Sequence, residues 1–132
     1  MSWSISSGEL MSKAGIQASV DGRPTHELAS RKDDLSVMLK CCDAEEDNYW
    51  SQQSGSRICA APFFFERAAI LLAKQKRFTD EVSICDRWAS IAEDYSAQKA
   101  VISGLMAKVH LGPRPVAIAA RRQKAAKKIP HF

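Results

Sequence analysis

Residues 62–91 read PFFFERAAILLAKQKRFTDEVSICDRWASI. Pro62 suits the first turn of a helix, where its missing N–H is not needed. From Phe63 to Ala73 the chain is apolar on almost every side of a helical wheel, interrupted only by Glu66 and Arg67. Such a helix needs neighbours on more than one side, so it is expected to be the centre of the fold. Lys74, Lys76 and Arg77 put positive charge where a helix over about 61–76 would end, which suits its dipole. Thr79 can cap a second helix over about 79–92, with Asp80 and Glu81 in its first turn. Val82, Ile84, Cys85, Trp88 and Ile91 form its apolar stripe. The connection is so short that the two helices must run antiparallel, as a hairpin.

Outward from the hairpin, Thr25 follows Pro24 and can cap a helix over about 25–46, whose Leu28, Leu35, Met38, Leu39 and Cys42 share one face. Its end carries the acidic run DAEED (43–47), poorly matched to the negative end of a helix dipole. That mismatch implies fraying or a cation close by. Residues 48–58, NYWSQQSGSRI, read as a polar loop from which Tyr49 and Trp50 can fold back. A fourth helix is expected over about 96–111, with Val101, Ile102, Leu105, Met106 and Val109 at helical spacing. Gly112, Pro113 and Pro115 stop it. The following VAIAARRQKAAKKI (116–129) has high helix propensity but little to bury, so docking would decide whether it is helical. Residues 1–23 are weakly patterned, with Trp3 and Ile5 able to pack as a strap, and DGRP (21–24) is a turn signal. The fold class expected is all-α: a small antiparallel bundle over 24–111, preceded by the strap and followed by a basic helix or tail over 112–132.

A chain of 132 residues is long enough for one domain with its own core. Apolar residues make up 45% and charged residues 26%, as in ordinary globular proteins. The start, MSWSISSGEL, lacks the basic and apolar regions of a signal peptide, and the apolar run 68–73 is too short to span a bilayer. A cytoplasmic location without membrane contact is therefore expected. The cysteines, Cys41, Cys42, Cys59 and Cys85, form no C-x-x-C pair and do not combine with His26 or His110 at zinc-site spacing, so reduced, buried thiols and no metal or cofactor are expected. Charge is strongly polarised. Residues 1–50 carry five basic and nine acidic side chains, whereas residues 99–132 carry eight basic and none acidic. That asymmetry marks the C-terminal segment as a candidate contact for nucleic acid, an acidic protein, or the chain's own 43–47 run.

The hairpin resembles the tetratricopeptide-like segments of many bacterial and phage proteins. The pattern falls on Pro62, Phe64, Phe65, Ala69, Ile70, Lys74, Phe78, Glu81, Ile84 and Arg87. The preceding LSVMLKCCDAEE (35–46) and the segment 99–109 fit the same layout, so the resemblance covers residues 28–110. Ala68 departs from it, standing where a larger apolar residue is usual. Arrays of this kind need about three repeats, so a single hairpin implies helix packing rather than a peptide groove. What the resemblance implies is scaffolding or binding, without chemistry.

Phe64, Phe65, Ala69, Leu72, Phe78 and Trp88 are expected in the core, because buried aromatics dominate packing energetics. Glu81 is expected to meet Arg67 or Lys74 across the hairpin. Phe63, Tyr49 and Trp50 are the candidates for facing a partner. Arg114, Arg121, Arg122, Lys124, Lys127 and Lys128 form the electrostatic tail. They have no interleaved aromatics, so base stacking is not expected of them. The histidines have no neighbour placed for acid–base or nucleophilic work, and no catalytic residue is identified. The residues thus point to a non-enzymatic protein–protein interaction module that binds and occludes or bridges a partner, or pairs with a second copy of itself. A small phage or mobile-element inhibitor of a bacterial complex would suit that description. The alternative is an accessory protein that binds nucleic acid through the tail.

Overall fold

The structure is a computed structural model that describes residues 17–130. Strap residues Trp3 and Ile5 and the terminal His131 and Phe132 lie outside that range. β1 (Ser19–Val20) and β2 (Arg23–Pro24) pair antiparallel, with Val20 opposite Arg23. Asp21 and Gly22 both take positive φ, 51° and 80°, which a two-residue type I′ turn requires. A 3₁₀ helix (Thr25–Arg31) follows, then α1 (Leu35–Ser51), α2 (Pro62–Lys74) and α3 (Phe78–Ser96). A single turn, α4 (Lys99–Ile102), and a 3₁₀ turn (Val109–Leu111) lead to α5 (Pro113–Ala126). The described residues are thus mostly helical, with one two-stranded sheet.

α2 packs against α1, α3 and α5, which is why it is apolar nearly all round. Phe64, Phe65, Ala68, Ala69, Leu71 and Leu72 are buried. Phe65 meets Trp88 of α3 with ring centroids 5.6 Å apart. Ala68, small where a larger residue might stand, is itself fully buried, so the helices approach closely there. The reversal into α3 is closed by Arg77 N–H to the Leu72 carbonyl (3.0 Å) and Lys76 N–H to that of Ala73 (2.9 Å). These bonds make a Schellman end, with Lys76 at φ 56° in the position glycine usually takes.

The second helix of the hairpin starts at Phe78, so Thr79 lies inside it and caps nothing, and it runs to Ser96 rather than about 92. Three other expected boundaries move. The helix expected over 25–46 is broken at residues 32–34, because Asp34 caps α1 by accepting from Val37 N–H (3.1 Å). Thr25 caps nothing; its hydroxyl donates instead to Glu45 Oε1 (2.7 Å). α1 then runs on to Ser51, so Tyr49 and Trp50 are helical rather than in a loop. The acidic run can stay helical because Arg87 of α3 donates to Asp43 (2.7 Å) and Glu46 (3.0 Å). The third change is larger. In place of a helix over 96–111 there is only the four-residue α4, because Gly104 at φ 84° turns the chain out of the helix.

The loop between α1 and α2 is pinned at three points. Gln52 bonds both the N–H (2.8 Å) and the carbonyl (3.2 Å) of Ile58. Gln98 does the same for Arg57 (2.6 and 2.9 Å). Glu45 Oε2 accepts from Ala61 N–H (3.2 Å), just before α2 begins. Primary amides suit this work because each offers a donor and an acceptor to one backbone residue.

Candidate functional site

α5 holds half of the C-terminal positive charge, and the hairpin supplies counter-charges to its arginines. Ile118 and Ala125 are buried against the core, which fixes the helix so that its arginines face α2 and α3. Arg114 reaches Glu66 (3.5 Å), Arg121 reaches Glu81 (3.6 Å) and Arg122 donates to Asp86 (2.8 Å). The Arg114 guanidinium also lies 5.0 Å from the Phe63 ring centroid, and the Lys128 ammonium 5.0 Å from that of Phe78. Of the three candidate partners for this segment, the 43–47 run is not the one it meets within the chain; its arginines contact the hairpin. Arg87 occupies the acidic run instead.

Glu81 is buried but meets neither Arg67 nor Lys74 as an ion pair. Arg67 is taken by Asp33 (2.6 Å) and the Lys32 carbonyl (2.7 Å). Burial raises the Glu81 carboxyl above its ordinary range, and the Arg121 guanidinium opposes that rise. Lys124 on α5 and Lys127 just past its end remain exposed.

The residues expected to face a partner separate into three situations. Tyr49 is fully buried, and its hydroxyl donates to Asp94 (2.7 Å), so it has no free face to offer. Its contact with the core is what drew it in, since α1 extends a full turn further than expected. Phe63 is half-buried, edge-on to Phe64 and covered by Arg114. Trp50 is exposed, with the Arg57 guanidinium 4.9 Å from its ring centroid; Arg57 also pairs with Asp94 (3.1 Å). Phe64, Phe65, Ala69, Leu72, Glu81 and Trp88 are buried, and Phe78 is half-buried beneath Lys128.

The connector, residues 99–116, is where sequence reading and structure diverge most. Leu105 is 85% exposed, Ile102 66%, Leu111 65% and Val116 64%. Val101 is buried, and Met106 and Val109 pack partly against the core. The Tyr95 hydroxyl, donating to the Ala107 carbonyl, ties the middle of the segment to α3. Lys99 and Lys108 are exposed beside these residues, and the segment has no acidic side chain. Helical spacing hid this surface. The available signal was Gly104, in the middle of the supposed stripe.

The thiols offer little reactivity. Burial pushes Cys41 up to about 11 and Cys85 up to about 12, and raises Cys42 and Cys59 further. Glu45, buried with Thr25 and Ala61 as its donors, is likewise raised by burial. Among the described residues no three His, Cys, Asp or Glu side chains are grouped to hold a metal ion, and no helix is long and apolar enough to cross a membrane. In comparisons with known proteins, no family model, curated protein or solved structure matches this chain.

Proposed function

We propose that this chain is a non-enzymatic protein–protein interaction module that engages its partner through the connector, occluding or bridging it. One observation carries the reading: four large apolar side chains, Ile102, Leu105, Leu111 and Val116, stand in water within fifteen residues. Exposed apolar groups concentrated in this way mark interaction surfaces, whereas single ones need no explanation. Lys99 and Lys108 flank them without an acid, so the partner surface is apolar with an acidic rim. The tetratricopeptide-like reading of the hairpin fits a scaffold that presents this surface. A second copy of the chain is less well matched, since its connector would bring the same positive charge.

The nucleic-acid reading is weaker. Arg114, Arg121 and Arg122 each already face an acid, Glu66, Glu81 and Asp86, which lowers the positive potential a phosphate would meet there. The test is a photo-crosslinking residue placed at Leu105, with a control at Ser90 on the opposite kind of surface, in a lysate treated with nuclease. A discrete protein adduct at Leu105, absent at Ser90 and lost in Leu111→Asp, is the expected outcome. Adducts that disappear with nuclease, or that form equally at both positions, would sink the proposal. Modest salt dependence is also expected, against a loss of about one log unit per log unit of salt for each phosphate contact in nucleic-acid binding.

A further inference from the structure

α5 sorts its charges by face. Arg114, Arg121 and Arg122 lie on the side of Ile118 and Ala125, turned to the hairpin, and each meets an acid. The opposite side carries Val116, Ala120, Gln123, Lys124 and Lys127, at helical spacing and all exposed. Lys127 follows the last residue of α5 with its backbone still helical (φ −69°, ψ −19°), so it prolongs this face. No acidic side chain lies on it.

The same division runs through the chain. Every arginine stands in an ion pair, whereas no lysine among the described residues does. The planar fork of arginine suits fixed pairs within the molecule, and the hydrated ammonium of lysine suits a contact made from water. The lysines also converge. Lys128 lies over the Phe78 ring at 5.0 Å, so the exposed Lys74 and Lys76 of the hairpin turn share one end of the bundle with Lys124 and Lys127. The first-turn acids of α3 do not offset them: Asp80 accepts from Arg77 (2.9 Å) and Glu81 is buried. The other end of this face is apolar. Val116 begins it, and Leu111 stands exposed just before α5, with Leu105 and Ile102 further back along the connector. From Val116 to Lys127 the helix rises roughly 16 Å. Ala120, between the apolar and basic ends, has so little bulk that a second helix can lie along α5 there.

We propose that the exposed face of α5 is the second half of the connector's interface, and that its occupant is an acidic amphipathic helix of the partner protein, running antiparallel to α5. The last turns of that helix seat leucine-sized side chains on Leu111, Val116 and the connector, and acids in its first turns meet Lys124 and Lys127. Acids suit the N-terminal end of a helix through its dipole, which sets the antiparallel direction. A phosphate backbone would use the lysines but leave the apolar end in water, and the face has no aromatic ring on which a base could stack. This inference rests on the interaction reading of the connector and adds the partner's chemistry and direction.

The probe is a synthetic helical peptide of about sixteen residues, long enough to cover this face, with glutamates in its first two turns and leucines along one side of its last two. It is titrated into the full-length protein and followed by amide NMR shifts. Shifts are expected together along residues 102–111 and 116–127. The same peptide with glutamine for glutamate should bind about tenfold more weakly at low salt, and the difference should shrink at high salt, as exposed charges are screened. Lys124→Gln combined with Lys127→Gln should erase the difference between the two peptides. Leu105→Asp should weaken both peptides alike. If Leu105→Asp weakens them and the lysine pair changes nothing, the α5 face is overturned and the connector reading stands. If Leu105→Asp changes nothing, the connector reading falls and the α5 proposal falls with it. Equal binding of the two peptides by the parent, or no shifts at millimolar peptide, would also overturn the proposal. So would an oligothymidylate that shifts residues 116–127 as strongly as the peptide does at physiological salt, since the face would then belong to phosphates.

Discussion

The hairpin and the connector carry the same sequence signal and meet opposite fates. In α3, apolar residues three and four apart become the core: Ile84, Cys85, Trp88 and Ile91 are all buried. In residues 101–109 the same spacing yields one buried side chain, Val101, two partly packed, and two in water. The difference is the backbone between them. α3 runs unbroken to Ser96, whereas Gly104 interrupts the connector after a single turn. Periodicity describes which side chains would share a face if the helix exists, and a glycine at positive φ decides whether it does.

That contrast gives the largest expected effect. Phe65 is fully buried against Trp88, so Phe65→Ala should cost about 3–5 kcal/mol, by transfer and by the cavity it leaves. Leu105→Ala, at a side chain in water, should stay within about 0.5 kcal/mol. Urea unfolding of both variants checks the pair. Similar costs at the two sites would mean that the connector is packed after all and would remove the surface on which the binding proposal rests.

The next effect concerns the link between α1 and the start of α2. Glu45 accepts from Thr25 and from Ala61 N–H, and it is buried. Glu45→Gln keeps one acceptor but turns an amide donor toward one of these donors, at a cost of about 1–3 kcal/mol. The pH dependence has a definite sign. Burial raises the folded pKa of Glu45 above its ordinary 4.5, so the native state holds more protons than the unfolded chain above that pH. Stability therefore falls as pH rises from 4.5 through the raised folded pKa, and Glu81, also raised by burial, adds in the same direction. Urea midpoints measured across that window should fall with pH in the parent and fall less in Glu45→Gln. An unchanged slope would remove Glu45 as its source.

Much of the hairpin was legible in its residues, because proline, the triple phenylalanine and the capping acids all point the same way over a short distance. Its partners were not legible. That Glu81 would meet Arg121 rather than Arg67, or that Arg87 would hold Asp43 and Glu46, depends on how α5 and α1 lie across α3, and no local pattern encodes that. The break before α1 was visible in principle: Asp34 is a better cap than Thr25, whose hydroxyl is spent on Glu45. The basic segment illustrates the same limit from the other side. Its composition left helix and tail both open, and burial of Ile118 and Ala125 decides for a docked helix.

Gly104→Ala tests the interruption itself. A side chain there meets nothing within 4 Å, so any cost is conformational rather than steric with neighbours. Forcing alanine to φ 84° should cost about 1–2 kcal/mol, visible in the urea midpoint without a gain in helical circular dichroism. A stabilised variant with added helical signal would mean that the connector prefers the continuous helix its spacing suggests and that glycine alone prevents it.

The smallest effect lies at the hairpin's own turn, where the same backbone conformation occurs without glycine. Lys76 holds φ 56° and closes the end of α2, so it bears the cost of a Cβ in the left-handed region. Lys76→Gly removes that strain but adds chain entropy to the unfolded state, and it deletes one positive charge near the helix end. The first term is the larger at this position, which glycine ordinarily occupies, so a net gain of about 0.5–1 kcal/mol is expected. Thermal and urea unfolding would read it directly. The gain should appear mainly as slower unfolding if the turn closes late in folding, and as faster folding if it closes early. Either outcome would also time the hairpin reversal relative to the docking of α5. A loss of stability instead would mean that the Lys76 charge contributes more than its backbone strain costs, and that the basic turn, like the basic helix, is fitted to the hairpin's own field.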